Sequence, residues 1–185
     1  MKELIVPAVL NETTRKYLHL LLDSERCAYE TICINSNNNM MIIFKFLTQI
    51  LKKSKVLKKL ELVDLRFDLL DLHDFPDALT NCNTLRSLKI SESTSYASDD
   101  RNDSFRMLMR GVAASKSILH LTLNLSNDHD KIIWGALNLN RRIKKITLHN
   151  HFENNDFLNN STIETVEFSN NSKINEGLKK SFSDV

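Results

Sequence analysis

The sequence predicts an α/β solenoid, a fold in which short parallel strands alternate with helices along the chain. Three features predict it. A strand motif recurs six times, its copies follow one another at similar intervals, and columns of apolar residues at helical spacing lie between them. Glycine (3) and proline (2) are scarce among the 185 residues. This scarcity disfavours a hairpin-rich all-β fold, which needs glycine in its tight turns.

The strand motif has the form apolar-x-x-apolar-x-apolar. Its successive copies start 28, 28, 33, 25 and 20 residues apart, so each unit has room for one strand, one return element and two turns. The copies are Tyr29/Ile32/Ile34, Leu57/Leu60/Leu62, Leu85/Leu88/Ile90, Ile118/Leu121/Leu123, Ile143/Ile146/Leu148 and Ile163/Val166/Phe168.

Three apolar columns precede the strands at fixed distances of six, ten and thirteen residues from the first motif residue. Their mutual offsets of three and four residues place them on one face of an α-helix. The columns are Leu51, Leu79, Val112, Leu137 and Phe157; Leu47, Phe75, Leu108 and Ile133; and Phe44, Leu72 and Phe105.

This combination of motif and columns resembles the leucine-rich repeats of the ribonuclease-inhibitor type, over residues 29–171. The resemblance implies right-handed strand–helix units, a concave parallel sheet of about six strands, and helices on the convex side. The family favours Asn or Cys three residues beyond the last strand leucine. Here only Asn37 and Asn171 fit that column, so we expect irregular turns. Its other members are Leu65, Ser93, Ser126 and His151.

Flanking segments are predicted to close the ends of the solenoid, which would otherwise expose apolar surface. Residues 1–28 are predicted to form an N-terminal helical cap, with Leu18, Leu21 and Leu22 on its buried face. Residues 172–185 are polar and are predicted to form a closing turn and a flexible tail. The whole chain is therefore expected to be one repeat domain with two end segments.

Composition excludes several classes of protein. A net charge of +2 and a pI near 8.4 are too mild for a dedicated nucleic-acid binder. No apolar run approaches the roughly 20 residues that span a bilayer, so we expect no membrane insertion. The three cysteines lack metal-ligand spacing and predict reduced thiols in a cytoplasmic, reducing compartment. His149 and His151 lack an evident third ligand, so no metal or other cofactor is expected.

Strand side chains that alternate with the inward apolar residues are predicted to point to solvent on the concave side. They are mixed polar residues and form the predicted partner-binding surface: Lys59, Glu61, Lys89, His120, Thr122, Asn124, Lys145, Thr147, His149 and Glu167. A serine-rich acidic insertion at 91–104 is predicted to be a loop at the edge of that surface. Insertions in repeat proteins often map to the binding face. The insertion adds Tyr96, Asp99, Asp100 and Arg101 to the predicted site.

A solenoid without catalytic residues is expected to act by occupying a partner. With its Asn-rich composition, 20 Asn against 3 Gly, and its polar C-terminal tail at 175–185, the chain resembles the small leucine-rich-repeat effectors that intracellular bacteria deliver into host cells. That resemblance implies translocation into a host cytosol and a monomer that inhibits or regulates another protein, either a host protein or a second effector. Two alternatives remain open. One is an F-box-like substrate adaptor for a host ubiquitin ligase, and the other is an enzyme with Cys33 as nucleophile. His120, three repeats away, is too distant to activate that thiol.

Overall fold

Strands and helices alternate along the chain in a computed structural model that describes residues 2–6, 16, 28–35, 40–67, 70, 72–93, 101–125, 129–149 and 160–169. Seven strands and four helices lie within these residues, which confirms the predicted α/β class. The strands are β1 (Glu3–Val6), β2 (Thr31–Asn35), β3 (Lys59–Leu65), β4 (Ser87–Glu92), β5 (His120–Asn124), β6 (Lys145–His149) and β7 (Thr165–Ser169). The helices are α1 (Met40–Lys53), α2 (Phe75–Asn81), α3 (Arg101–Ala114) and α4 (Asp130–Leu139).

The strands form one parallel sheet whose spatial order is the order of the sequence, β1 to β7. Equivalent motif residues pair across neighbouring strands. Leu60 aligns with Leu88, Leu88 with Leu121, and Leu121 with Ile146. Parallel neighbours require a crossover connection, and α1 to α4 lie within four of these connections. The result is a repeat-like parallel α/β architecture.

The helices cover one face of the sheet. Every described member of the three predicted helix columns is at most 2% exposed, and all of them except Leu72, which precedes α2, lie on helices. These side chains and the inward strand residues belong to a single hydrophobic core. Neighbouring helices also contact one another, α1 with α2, α2 with α3, and α3 with α4. Within the described part of the chain, no helix has the length and apolar content needed to cross a bilayer.

The sheet has seven strands rather than about six because Glu3–Val6 pairs in parallel with β2. Leu4 and Val6 align with Ile32 and Ile34. The segment predicted as a helical cap therefore begins with a strand. In the rest of the predicted cap only Lys16, which is helical, and residue 28 are described, and the predicted tail at 172–185 lies outside the described residues.

The predicted loop at 91–104 is shorter in the structure. Ser91 and Glu92 end β4, and residues 101–104 form the first turn of α3, so the interpretation of the whole insertion as a loop is wrong at both ends. Strand pairing continues through Ser91, which aligns with Asn124 of β5 and is 5% exposed. Residues 94–100 lie outside the described part of the chain.

One irregularity interrupts the register between β3 and β4. Leu62 aligns with Ile90, but the next aligned pair is Leu65 with Glu92, so β3 holds one extra residue. Asp64 accommodates it in a left-handed backbone conformation with φ 55°, which aspartate tolerates better than most residues. The bulge directs Leu65 into the core, where it is fully buried. Leu65 thus fills with apolar packing a column in which the resemblance implied a polar turn residue.

Polar residues instead cap the turns that lead from each helix into the next strand. Ser54 Oγ accepts a hydrogen bond from the Leu57 backbone N–H at 3.0 Å, and Asn140 Oδ1 accepts one from Ile143 at 2.9 Å. Asn140 Nδ2 also donates to the Val112 carbonyl at 2.8 Å, which joins two neighbouring units. Ser115 and Asn160 make equivalent turn contacts. All four stand three residues before a strand motif, at the opposite end of the strand from the column that the resemblance implied.

Candidate binding face

The sheet face opposite the helices, here called the open face, carries side chains in rows that run across the strands. Strand pairing alone defines these rows. The first is Glu3, Thr31, Lys59, Ser87, His120, Lys145 and Thr165. The middle row is Ile5, Cys33, Glu61, Lys89, Thr122, Thr147 and Glu167. The third is interrupted by the β3 bulge and contains Asn35 and Val63 on one side, and Ser91, Asn124, His149 and Ser169 on the other.

The ten strand residues predicted for the site lie together on this face, because side chains alternate between the two faces of a strand. Lys59 and His120 are exposed, and the others on β3 to β6 are half-buried. Three residues of the predicted insertion, Tyr96, Asp99 and Asp100, lie outside the described residues. Arg101 begins α3, where only its backbone is described. Participation of any of these residues in binding stays a prediction.

A three-residue charge cluster bridges β3 and β4. Glu61 Oε1 lies 2.5 Å from Lys59 Nζ, and Glu61 Oε2 lies 3.8 Å from Lys89 Nζ. The Glu61 side chain is 18% exposed, whereas the Lys59 and Lys89 side chains are 46% and 39% exposed. The hydrogen bond to Glu61 raises the pKa of Lys59, because it favours the protonated amine. Glu61 therefore holds both ammonium groups against the sheet.

The Cys33 thiol lies next to this cluster, in the same row as Glu61. Burial raises its pKa, and the negative charge of Glu61 raises it further. An activated cysteine nucleophile has the opposite shift, towards the thiolate. Three strand intervals separate the β2 row position of Cys33 from His120 on β5, which corresponds to about 14 Å.

A second cluster joins β6 and β7. Lys145 Nζ lies 2.6 Å from Glu167 Oε1, and Thr147 Oγ1 donates to Glu167 Oε2 at 3.2 Å. The hydrogen bond from Lys145 lowers the pKa of Glu167. In the third row, Ser169 Oγ lies 2.5 Å from His149 Nδ1. Both oxygens of each open-face carboxylate on β3 and β7 are thus engaged by neighbours on the same face.

Strands β4 to β6 present a different surface. Their nine open-face residues are all described, and none of them is a carboxylate: Ser87, Lys89, Ser91, His120, Thr122, Asn124, Lys145, Thr147 and His149. Hydroxyl and amide groups fill the positions between the basic side chains, and Asn124 Nδ2 donates to Ser91 Oγ at 3.3 Å. This part of the face can donate hydrogen bonds and attract anions.

Ile5 is a surface feature that the sequence prediction missed. It is 64% exposed and begins the middle row, beside Cys33. The missed signal is a seventh copy of the strand motif, Met1/Leu4/Val6, which starts 28 residues before Tyr29. Ile5 gives the N-terminal end of the open face an apolar contact point.

Comparison with protein-family models and with curated proteins finds no match for this sequence. Among the residues that the structure describes, no group of three or more His, Cys, Asp or Glu side chains is placed to hold a metal ion.

Proposed function

We propose that this chain is a leucine-rich-repeat solenoid that binds another protein on its open face and acts by covering part of that protein's surface. One observation carries the proposal. Seven parallel strands present aligned polar side chains on one face, while the helices and the core occupy the other. Repeat proteins of strand–helix type use such extended surfaces for binding.

The rigidity of the face supports this function. The inward neighbours of the open-face residues are packed in the core; Leu60, Leu88 and Ile146 are fully buried. The strand backbone is fixed by pairing on both sides in β2 to β6. Outward side chains are thus held at set spacings before a partner arrives, which lowers the entropy cost of association.

The size of the face indicates how a partner must sit. Six strand intervals of about 4.8 Å and strands of about five residues give a flat area of roughly 29 by 16 Å, or about 470 Å². A stable protein–protein interface buries about 800 Å² on each partner. The partner is therefore expected to reach beyond the strands to the edges of the sheet. Ile5, which is exposed on the edge strand β1, is one such contact point.

By the resemblance to small effectors, the proposed partner is a host protein or a second effector, and the proposed outcome of binding is inhibition or regulation. The test is affinity capture from the native host with three forms of the chain. These are the unaltered chain, an open-face variant with Lys89→Glu and Lys145→Glu, and a helix-side control with Lys53→Glu and Lys131→Glu. All four lysines are on described elements, and the two control positions are exposed on α1 and α4.

We expect the control to capture a partner of the open face as well as the unaltered chain does. The open-face variant should bind it at least about tenfold more weakly, a difference of about 1.4 kcal/mol. Circular dichroism and thermal unfolding establish that both variants are folded. Capture that is equal in all three forms, or that is lost equally from both variants, would overturn the proposal.

A further inference from the structure

The positive charges on β4 to β6 are Lys89 and Lys145, and the imidazoles of His120 and His149 lie on the same strands; these four side chains are here called the cationic centre. Glu61 on β3 and Glu167 on β7 flank this centre and contact its two lysines from outside. Glu92 also belongs to β4, but its side chain is 3% exposed and lies beside His129 rather than on the open face. The charge of the centre is therefore positive, with carboxylates only at its two sides.

We infer that the cationic centre takes an acidic segment of the partner protein, bound through carboxylates by Lys89 and Lys145. This inference rests on the proposed function and specifies the chemistry of the partner. An acidic ligand fits because the carboxylate oxygens of Glu61 and Glu167 are already engaged by neighbouring side chains, whereas the lysines still have N–H donors to offer. Both Glu61 oxygens lie beside lysines, and the Glu167 oxygens face Lys145 and Thr147.

The lysines retain binding capacity. An ammonium group has three N–H donors, and the ion pairs of Lys89 with Glu61 and of Lys145 with Glu167 each use one carboxylate oxygen. Their side chains are 39% and 40% exposed, so a ligand can reach them. Exposed ion pairs contribute little to stability, so an incoming carboxylate can share or replace Glu61 or Glu167 at small cost.

The spacing of the lysines suggests how the segment is built. Lys89 and Lys145 stand on strands separated by β5 and are offset by two residues along the strand direction, which places their backbones about 12 Å apart. An extended chain advances about 13 Å in four residues, and residues four apart project to the same side. Acidic residues at positions i and i+4 of an extended segment that crosses the strands would reach the two lysines together. Thr122 pairs with Lys89 on the intervening strand β5 and can hydrogen-bond the segment.

A protein segment suits this surface better than a nucleic acid. Two lysines flanked by carboxylates do not form the continuous basic stripe of a nucleic-acid binder, and the chain has a net charge of only +2. The nine open-face residues of β4 to β6 include no arginine and no Phe, Tyr or Trp. A stacking platform for bases is thus missing from this centre.

The test is an NMR titration of the full chain with a peptide of about twelve residues that has glutamate at every fourth position and serine elsewhere. Matched peptides replace glutamate with glutamine or lysine, and an oligothymidine of similar length tests nucleic acid. We expect the glutamate peptide to bind at least about tenfold more tightly than the glutamine peptide and to shift amides of β4 to β6. Raising the salt concentration should weaken it, because the attraction is screened.

Lys89→Gln/Lys145→Gln should reduce binding of the glutamate peptide to that of the glutamine peptide, while Lys131→Gln on α4 should leave it unchanged. Equal binding of the two peptides, an unaffected double variant, or tighter lysine-dependent binding of the oligothymidine would each overturn the inference. If such a result accompanies partner capture that still depends on the open face, the inference fails and the proposed function stands. Capture that is independent of the open face removes the proposed function itself.

Discussion

His129 Nε2 lies 3.7 Å from Glu92 Oε2, and both side chains are only 3% exposed. The imidazole also packs against two aromatic rings, with centroid distances of 4.3 Å to Phe105 and 6.1 Å to Phe67. Among the described residues, neither ring nitrogen of His129 has a hydrogen-bond partner. An ionisable pair thus lies within a largely apolar cluster where β4 ends and α4 begins.

Energetic coupling between these two residues is the first prediction. Removing one member of a buried pair leaves the other uncompensated, so the effects of single substitutions should not add. We expect a double-mutant cycle of His129→Phe and Glu92→Gln, measured by urea unfolding at pH 6, to give a coupling energy of about 1–3 kcal/mol. A parallel cycle of His129→Phe with the exposed Glu164→Gln should be additive within about 0.5 kcal/mol. Additivity in both cycles would show that the pair is not coupled.

The two described glycines, both on helices, differ in their surroundings, and they give a matched test of helix packing. A Cβ on Gly111 of α3 would lie 2.7 Å from Pro76 Cα and 2.9 Å from Pro76 O, both backbone atoms of α2. A Cβ on Gly135 of α4 would meet nothing within 4 Å. Gly111→Ala must push α2 and α3 apart, so we expect it to destabilise the chain by about 1–3 kcal/mol. Gly135→Ala should stabilise it by about 0.5–1 kcal/mol through helix propensity.

Chemical unfolding of the two alanine variants provides the measurement. The same residue change in two helices separates packing from propensity, because propensity acts in the same direction at both sites. Equal changes in the free energy of unfolding would contradict the close approach of α2 and α3 at Gly111.

Asn140 is predicted to be the most sensitive of the turn-capping residues. It is 1% exposed, its Oδ1 accepts from Arg142 and Ile143, and its Nδ2 donates to Val112 O and Ser115 O. Asn140→Ala would leave buried backbone groups without partners, at an expected cost of about 2–4 kcal/mol in unfolding free energy.

Asn81 offers the control for this substitution. It is exposed at the end of α2 and donates one local hydrogen bond, to Asp77 O at 2.9 Å. Asn81→Ala should change the free energy of unfolding by no more than about 0.5 kcal/mol. If the two substitutions changed the free energy of unfolding equally, the hydrogen bonds from Asn140 to the neighbouring unit would not contribute to stability.

The sequence predicts the layered fold because the apolar columns directly encode burial. Leu60, Leu88 and Leu121 occupy the same position in successive copies of the strand motif, and they pair across neighbouring strands of the sheet. β1 was missed because its motif begins at the first residue and a helical cap was expected there. The bulge at Asp64 could not be predicted, since a left-handed backbone conformation leaves no trace in the apolar pattern.

The candidate face was predictable as a set of positions but not as a set of contacts. Strand alternation places Lys145 and Glu167 on the same side, and equal motif lengths place them one strand apart. Their ion pair also depends on side-chain rotamers, which a repeat pattern does not specify. The resemblance implies polar turn residues after the ends of the strands, whereas Asn140 and Asn160 cap the turns that precede them.

Slow alkylation of Cys33 is a further prediction. Burial and the charge of Glu61 raise the pKa of this thiol, and the thiolate is the reactive form. We expect iodoacetamide at pH 7.5 to modify Cys33 more slowly than a free cysteine peptide. Glu61→Gln should accelerate the reaction, whereas Glu164→Gln should not. Fragment-ion mass spectrometry assigns the modification to Cys33, and a reaction faster than that of the free peptide would contradict the shift.

The final prediction concerns the pH dependence of the Lys145–Glu167 pair. The hydrogen bond from Lys145 lowers the pKa of Glu167 below its ordinary 4.5. A lowered pKa in the folded state means that this pair stabilises the fold above pH 4.5 and loses its contribution as the pH falls through the lower folded value. Lys145→Met should move the Glu167 pKa back towards 4.5 in a carbon-13 NMR titration.

Lys144→Met is the matched control for this titration, because Lys144 pairs with Glu164 at 2.5 Å rather than with Glu167. It removes a neighbouring positive charge without removing the hydrogen bond from Lys145. If the Glu167 pKa changes equally in both variants, the positive charge of the surroundings lowers it, and not the 2.6 Å contact with Lys145. If only Lys145→Met moves it, the contact that flanks the cationic centre exists in solution, where an acidic partner would have to compete with it.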